Sequence, residues 1–204
     1  MSLIFKNILA VGAHPDDIEY SCLGFLLKQK NSGASISTFV ASLGSFNDKT
    51  SGPNRRTESE SALGLNGFKQ YYSENADFDY VKTETEIRDL VIKQNFDCVL
   101  VHDPRDSHQE HRVTYDITLS AIRRMNVGFI LYRSVSTTND FKCNYRVGVD
   151  GFFEQKIKTL KLHKSQKEKS YMAQDLIESF HTYYHLDLDS DTFYETFNIS
   201  SLVD

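Results

Sequence analysis

The sequence predicts a three-layer α/β fold with a mostly parallel central sheet. Two observations carry that expectation: short apolar runs alternate with segments of helical spacing along all 204 residues, and two polar, histidine-rich segments directly follow such runs. A strand, a crossover helix and a second strand favour parallel pairing with a right-handed connection. In such sheets ligands bind beyond the carboxyl ends of the strands.

Residues 7–12 (Asn-Ile-Leu-Ala-Val-Gly) read as a buried strand ending in glycine. Residues 18–30 place Ile18, Cys22, Leu23, Leu26 and Leu27 at helical spacing, and Asn31-Ser32-Gly33 closes that helix. Ile36 to Leu43 is a second strand. Residues 44–54, rich in Gly, Ser, Asn, Asp and Pro, form a loop long enough to suggest a functional one. Helices follow over 55–65 and 84–95, then a strand over 97–101 and a polar loop to His108. A helix over 110–125, a strand over 129–132 and a mostly helical stretch over 151–180 complete the pattern. Nothing resembles a repeat or linker, so residues 1–204 read as a single Rossmann-like domain.

Composition narrows the function classes. The formal net charge of -5 and the lack of a Lys/Arg run exclude a basic nucleic-acid binder. No apolar stretch approaches the roughly 20 residues of a membrane-spanning helix. Cys22, Cys98 and Cys143 form no CxxC pair and read as reduced, buried thiols. The N-terminus shows no secretory pattern, so a cytoplasmic location is expected.

Two segments carry chemistry. In Gly12-Ala13-His14-Pro15-Asp16-Asp17-Ile18-Glu19, an imidazole and a carboxylate three residues apart can point into one crevice across a strand-to-helix turn. Pro15 stiffens that turn. One of the adjacent carboxylates can hold a metal while the other stays free as a base; either could instead cap the helix. In Asp106-Ser107-His108-Gln109-Glu110-His111, two histidines at i and i+3 can face one site at a helix start. An Asp with two His makes a mixed oxygen and nitrogen set suited to Zn²⁺ with an open position for water, another divalent metal being the alternative. The first turn lacks Gly-x-Gly-x-x-Gly, and its paired carboxylates would repel a pyrophosphate, which argues against nucleotide binding.

These motifs resemble those of the PIG-L/LmbE-like N-acetylglucosaminyl deacetylases. The match lies in Ala13-His14-Pro15-Asp16-Asp17-Ile18-Glu19, in His108-Gln109-Glu110-His111, in the Arg-x-x-Glu helix start at Arg55 to Glu58, and in His163-Lys164-Ser165-Gln166. The resemblance implies His14, Asp17 and His111 as zinc ligands, Asp16 as general base and His108 as the oxyanion partner. It also implies substrate contact by Arg55 (a solvated helix-end arginine is the plain alternative). Asp106 reads as a partner that orients a histidine, a loop Asp making a turn being the alternative, and Glu110 as a carboxylate behind the ligands. Glu110 departs from the family's usual Asp by one methylene. The implied reaction releases acetate from an N-acetylated amino sugar or glycoconjugate; a phosphoester or another amide is the competing target. A homo-oligomer is also implied, with the Tyr- and Phe-rich end, residues 183–204, packing on a neighbouring subunit. His102 reads as a strand-end residue, His163 as exposed on a Lys-rich helix, and His181 and His185 as structural.

Overall fold

The computed structural model describes residues 3–44, 52–74, 78–182 and 192–203. Its sheet has seven strands: β1 (Asn7–Gly12), β2 (Ser35–Val40), β3 (Lys69–Tyr72), β4 (Cys98–His102), β5 (Gly128–Tyr132), β6 (Tyr145–Gly148) and β7 (Tyr194–Ser201). The helices are α1 (Asp17–Asn31), α2 (Gly52–Leu65), α3 (Tyr80–Gln94), α4 (Gln109–Ile122), α5 (Asp150–Leu160) and α6 (Gln174–Thr182). Strand order is β3-β2-β1-β4-β5-β7-β6. The first five in that order pair in parallel, and β7 runs antiparallel to both β5 and β6. The expected mostly parallel three-layer fold is therefore present.

Strand β1 is central and buried on both faces, which is why it reads as a continuous apolar run. Successive side chains alternate between faces. Ile8 and Ala10 join one core with Leu23, Phe25 and Phe153, while Leu9 and Val11 join a second with Ile87, Val91 and Ile117. Helices α1 and α5 pack together, as do α3 and α4.

The chain leaves β1 towards β2 and β3, then returns to β4 and β5 on the other side. The order thus reverses between β1 and β4, and their carboxyl ends open the crevice where ligands bind in such sheets. Both polar motifs emerge there.

Three strands escaped the sequence reading. Lys69–Tyr72 and Tyr145–Gly148 are short sheet edges, only partly buried, so they carry little apolar alternation. The third lies in the tail: residues 194–201 add a strand to this chain's own sheet, pairing with β5 and β6. The expected helix over 151–180 is also broken. It ends at Leu160, passes through two 3₁₀ turns (Lys164–Gln166 and Ser170–Met172), and resumes as α6. The break turns His163 inward, where it is 2% exposed and faces Glu19, contrary to the exposed reading. Cys22 and Cys98 are buried as expected, whereas Cys143 is partly exposed; all three are free.

Candidate active site

The turn after β1 sets the site. Asp16 takes a left-handed conformation (φ 96°) at the N-cap of α1, a costly geometry for a residue with a Cβ. Its side chain makes no capping hydrogen bond. Instead the carboxylate accepts from the Tyr171 hydroxyl at 3.0 Å and lies 3.5 Å from the Arg55 guanidinium. Asp17 opens α1, and its Oδ2 accepts the His14 backbone N–H at 2.7 Å. The turn thus separates the adjacent carboxylates into different surroundings.

The turn after β4 completes the site. His108 is the N-cap of α4, placing Glu110 and His111 in its first turn. Asp106 Oδ1 accepts the His108 backbone N–H at 2.8 Å, and Asp106 Oδ2 stands 3.1 Å from His111 Nδ1. This leaves His111 Nε2 facing Asp17 Oδ1 at 3.4 Å. A carboxylate behind an imidazole fixes its tautomer and its aim. Glu110 touches the His14 ring at Nε2, and its carboxylate lines the crevice.

Among the described residues, two groups of three have donor atoms within 4.8 Å of one another: His14, His108 and His111, and Asp17, His102 and His111. His111 belongs to both. Neither group contains His14, Asp17 and His111 together, although His14 Nδ1 lies 3.5 Å from Asp17 Oδ2. His102 ends β4 as expected and is fully buried, its Nε2 at 3.1 Å from both the Ala13 amide and Asp17 Oδ2. Its stacking on His111, with ring centroids 3.9 Å apart, has no signature in the linear pattern.

Electrostatics follow from this crowding. Burial and the charge of Asp17 push the Asp16 carboxyl up to about 6. Asp17 is held well below the usual carboxylate range: burial opposes its charge, but His111 and His102 outweigh burial. Burial would lower His14 and His111, yet neighbouring carboxylates lift them to about 9 and about 10. His102 falls to about 4 and His108 falls too, through burial and the charge of His111. The crevice therefore favours cations among its donors. Imidazole nitrogens and carboxylate oxygens around a negative field are the donor set of a divalent metal, and such metals displace protons from the same atoms.

The crevice has a volume of about 580 Å³. His14, Asp16, Asp17, Arg55, His108, Glu110 and His111 all line it, whereas Asp106 supports His111 from behind. The Arg55 side chain is 12% exposed and donates to the Pro15 carbonyl at 3.0 Å, which excludes the solvated reading. Ser134, Ser136, Lys169 and Tyr171, which were not anticipated, also line the crevice, as does Gln166 from the His163-Lys164-Ser165-Gln166 segment. Ser134 and Ser136 follow β5, so the rule that located the two motifs applies to a third strand end. Tyr171 lies in the 3₁₀ turn Ser170–Met172, which no sequence pattern marks. His163 joins Glu19 at 2.8 Å, and Glu58 accepts from the Ser165 amide and hydroxyl at 2.9 and 2.6 Å. His181 is buried with Nδ1 2.7 Å from the Ile177 carbonyl, in keeping with a structural role. His185 and most of the 44–54 loop lie outside the described residues.

Comparison with known proteins adds to this geometry. The chain is 30% identical over 174 residues to YaiS of Escherichia coli K12, described as an uncharacterized deacetylase, covering 78% of this chain and 91% of that one. It superposes on the N,N'-diacetylchitobiose deacetylase of Pyrococcus horikoshii with a TM-score of 0.81 at 20% identity, over 96% of this chain and 84% of that one. It also superposes on GalB, the 4-carboxy-2-hydroxymuconate hydratase of Pseudomonas putida KT2440, with a TM-score of 0.74 at 12% identity, over 96% of both chains. A fold shared between a deacetylase and a hydratase does not fix a reaction. Residues 9–122 match the PIG-L family, described as GlcNAc-PI de-N-acetylase, and this match spans both motifs of the crevice. With YaiS, it establishes that the chain belongs to the PIG-L family of de-N-acetylases.

Proposed function

We propose that the protein is a zinc-dependent hydrolase that removes the N-acetyl group from an N-acetylglucosamine-type sugar or conjugate. The observation that carries this reading is the division of labour between Asp16 and Asp17. One carboxylate faces the histidines, and the other is turned away, buried, and raised towards neutrality. His14, Asp17 and His111 would hold the metal, with Asp106 orienting His111. Zinc at such a site supplies Lewis-acid polarisation and acidifies water near neutral pH.

The remaining chemistry falls to the chain. Asp16 takes a proton from the attacking water as the new C–O bond forms, and returns it to the nitrogen as the C–N bond breaks. Acetate and a free amine result. The Tyr171 hydroxyl holds one Asp16 oxygen and Arg55 approaches the other, which fixes the carboxylate between two donors. His108, pushed down by burial and the charge of His111, offers a ring N–H to the developing oxyanion. Arg55, Gln166 and Lys169 provide polar walls for sugar hydroxyls.

The test is Asp16→Ala, with metal content and acetate release measured on the same preparation. The expected protein binds zinc as the wild type does and loses turnover by about 10²–10⁴-fold. Wild-type turnover in a zinc-replete Asp16→Ala protein would remove Asp16 from the base role.

A further inference from the structure

We propose that a groove beside the crevice binds a flat, apolar, uncharged group attached to the sugar, so that the preferred substrates are glycosides with a ring-bearing aglycone. This deepens the deacetylase reading and rests on it.

The groove has a volume of about 280 Å³ and shares Tyr20, Val135 and Tyr171 with the crevice. Leu176 and Phe180, one helical turn apart on α6, form its outer side. Val135 and Leu176 are 43% and 45% exposed, aliphatic side chains held open to solvent at the mouth of a polar site. Exposed apolar surface contiguous with a ligand cleft marks a contact surface more often than isolated exposure does.

Both walls are tied to reacting groups. On one side Tyr171 donates to Asp16 and meets Tyr20 edge to face at 5.9 Å, and Tyr20 meets Phe180 edge to face at 5.2 Å. On the other, Val135 lies between Ser134, which donates to Asp106, and Ser136, whose hydroxyl is 3.2 Å from His111 Nδ1. A substituent that leaves the crevice between Tyr171 and Val135 meets these aromatic faces. The Arg133 guanidinium lies over the Phe180 ring at 4.2 Å, covering the far end with its planar face. Such a surface favours offset or edge contacts with a ring over hydrogen bonding to a polyol.

The test compares methyl and phenyl N-acetyl-β-D-glucosaminide with the zinc-loaded protein, reading binding by calorimetry and turnover by acetate release. Leu176→Glu is the probe, because this half-exposed side chain can change without disturbing the core. The phenyl glycoside is expected to bind about tenfold more tightly in the wild type, with that preference erased by Leu176→Glu and the methyl glycoside unaffected. Equal binding of the two glycosides overturns the proposal, as does a phenyl preference that survives Leu176→Glu. A preference erased by Leu176→Glu with no acetate from either glycoside upholds the groove and overturns the deacetylase reading instead.

Discussion

Gly44 shows how closely the crevice is fitted around one arginine. Its φ is +73°, and a Cβ there would collide with Arg55 Nη1. Gly44→Ala is therefore expected to cost on the order of 1 kcal/mol in backbone strain and to push Arg55 off the Pro15 carbonyl. Turnover should fall by more than that stability loss explains; thermal melting and kcat/KM on the same variant check this. Arg55 itself was legible as the start of a helix with Arg-x-x-Glu spacing, but its burial was not, because the contacts that bury it come from residues distant in sequence. His163 failed for a related reason. Its lysine-rich neighbours suggested a solvated face, yet the chain breaks after α5 and delivers the ring to Glu19. Burial would lower this histidine, and Glu19, aided by Asp16 and Glu58, outweighs burial and raises it above 6.5. A raised histidine contributes stability that is fully present below about pH 6.5 and is lost as pH rises through the folded value. The stability advantage of wild type over His163→Gln should therefore shrink on the alkaline side, as urea midpoints across pH would show.

Strand β7 owes its place to a buried ion pair. Glu195 accepts from Lys156 Nζ at 2.5 Å and from the Gly24 and Phe25 amides at 2.7 and 2.6 Å, joining the last strand to α5 and α1. Both side chains are fully enclosed. Removing one partner leaves the other charge buried and alone, at a cost of about 3–5 kcal/mol. Lys156→Met and Glu195→Gln should each destabilise strongly in urea unfolding, and the double variant should cost less than the sum of the two. The same pair explains why this strand was hidden in the sequence. Glu195 stands at an inward position where a binary pattern expects an apolar residue, so the tail did not read as a strand. The central strands had no such conflict: β1, β2, β4 and β5 bury both faces, and their apolar runs declared them.

At the scale of the whole molecule, the reversal of strand order between β1 and β4 joins residues 13–17 to residues 103–111. The sequence made both segments visible because each follows a strong apolar run, and sheet topology alone then requires them to meet. What it could not supply was the third side of the crevice. Tyr171, Gln166 and Lys169 arrive on irregular backbone after α5, where no periodicity predicts an approach to β1. The consequence is a crevice whose histidines and carboxylates come from two strand ends and whose Asp16 carboxylate is steadied by a distant tyrosine. The most direct test is acetate release from N-acetylglucosamine glycosides by zinc-loaded protein, before chelation, after chelation and after zinc is restored. Equimolar acetate and free amine, abolished by chelation and recovered with zinc, is the predicted result. A folded, zinc-loaded protein that releases no acetate, or one whose release is indifferent to chelation, would contradict it.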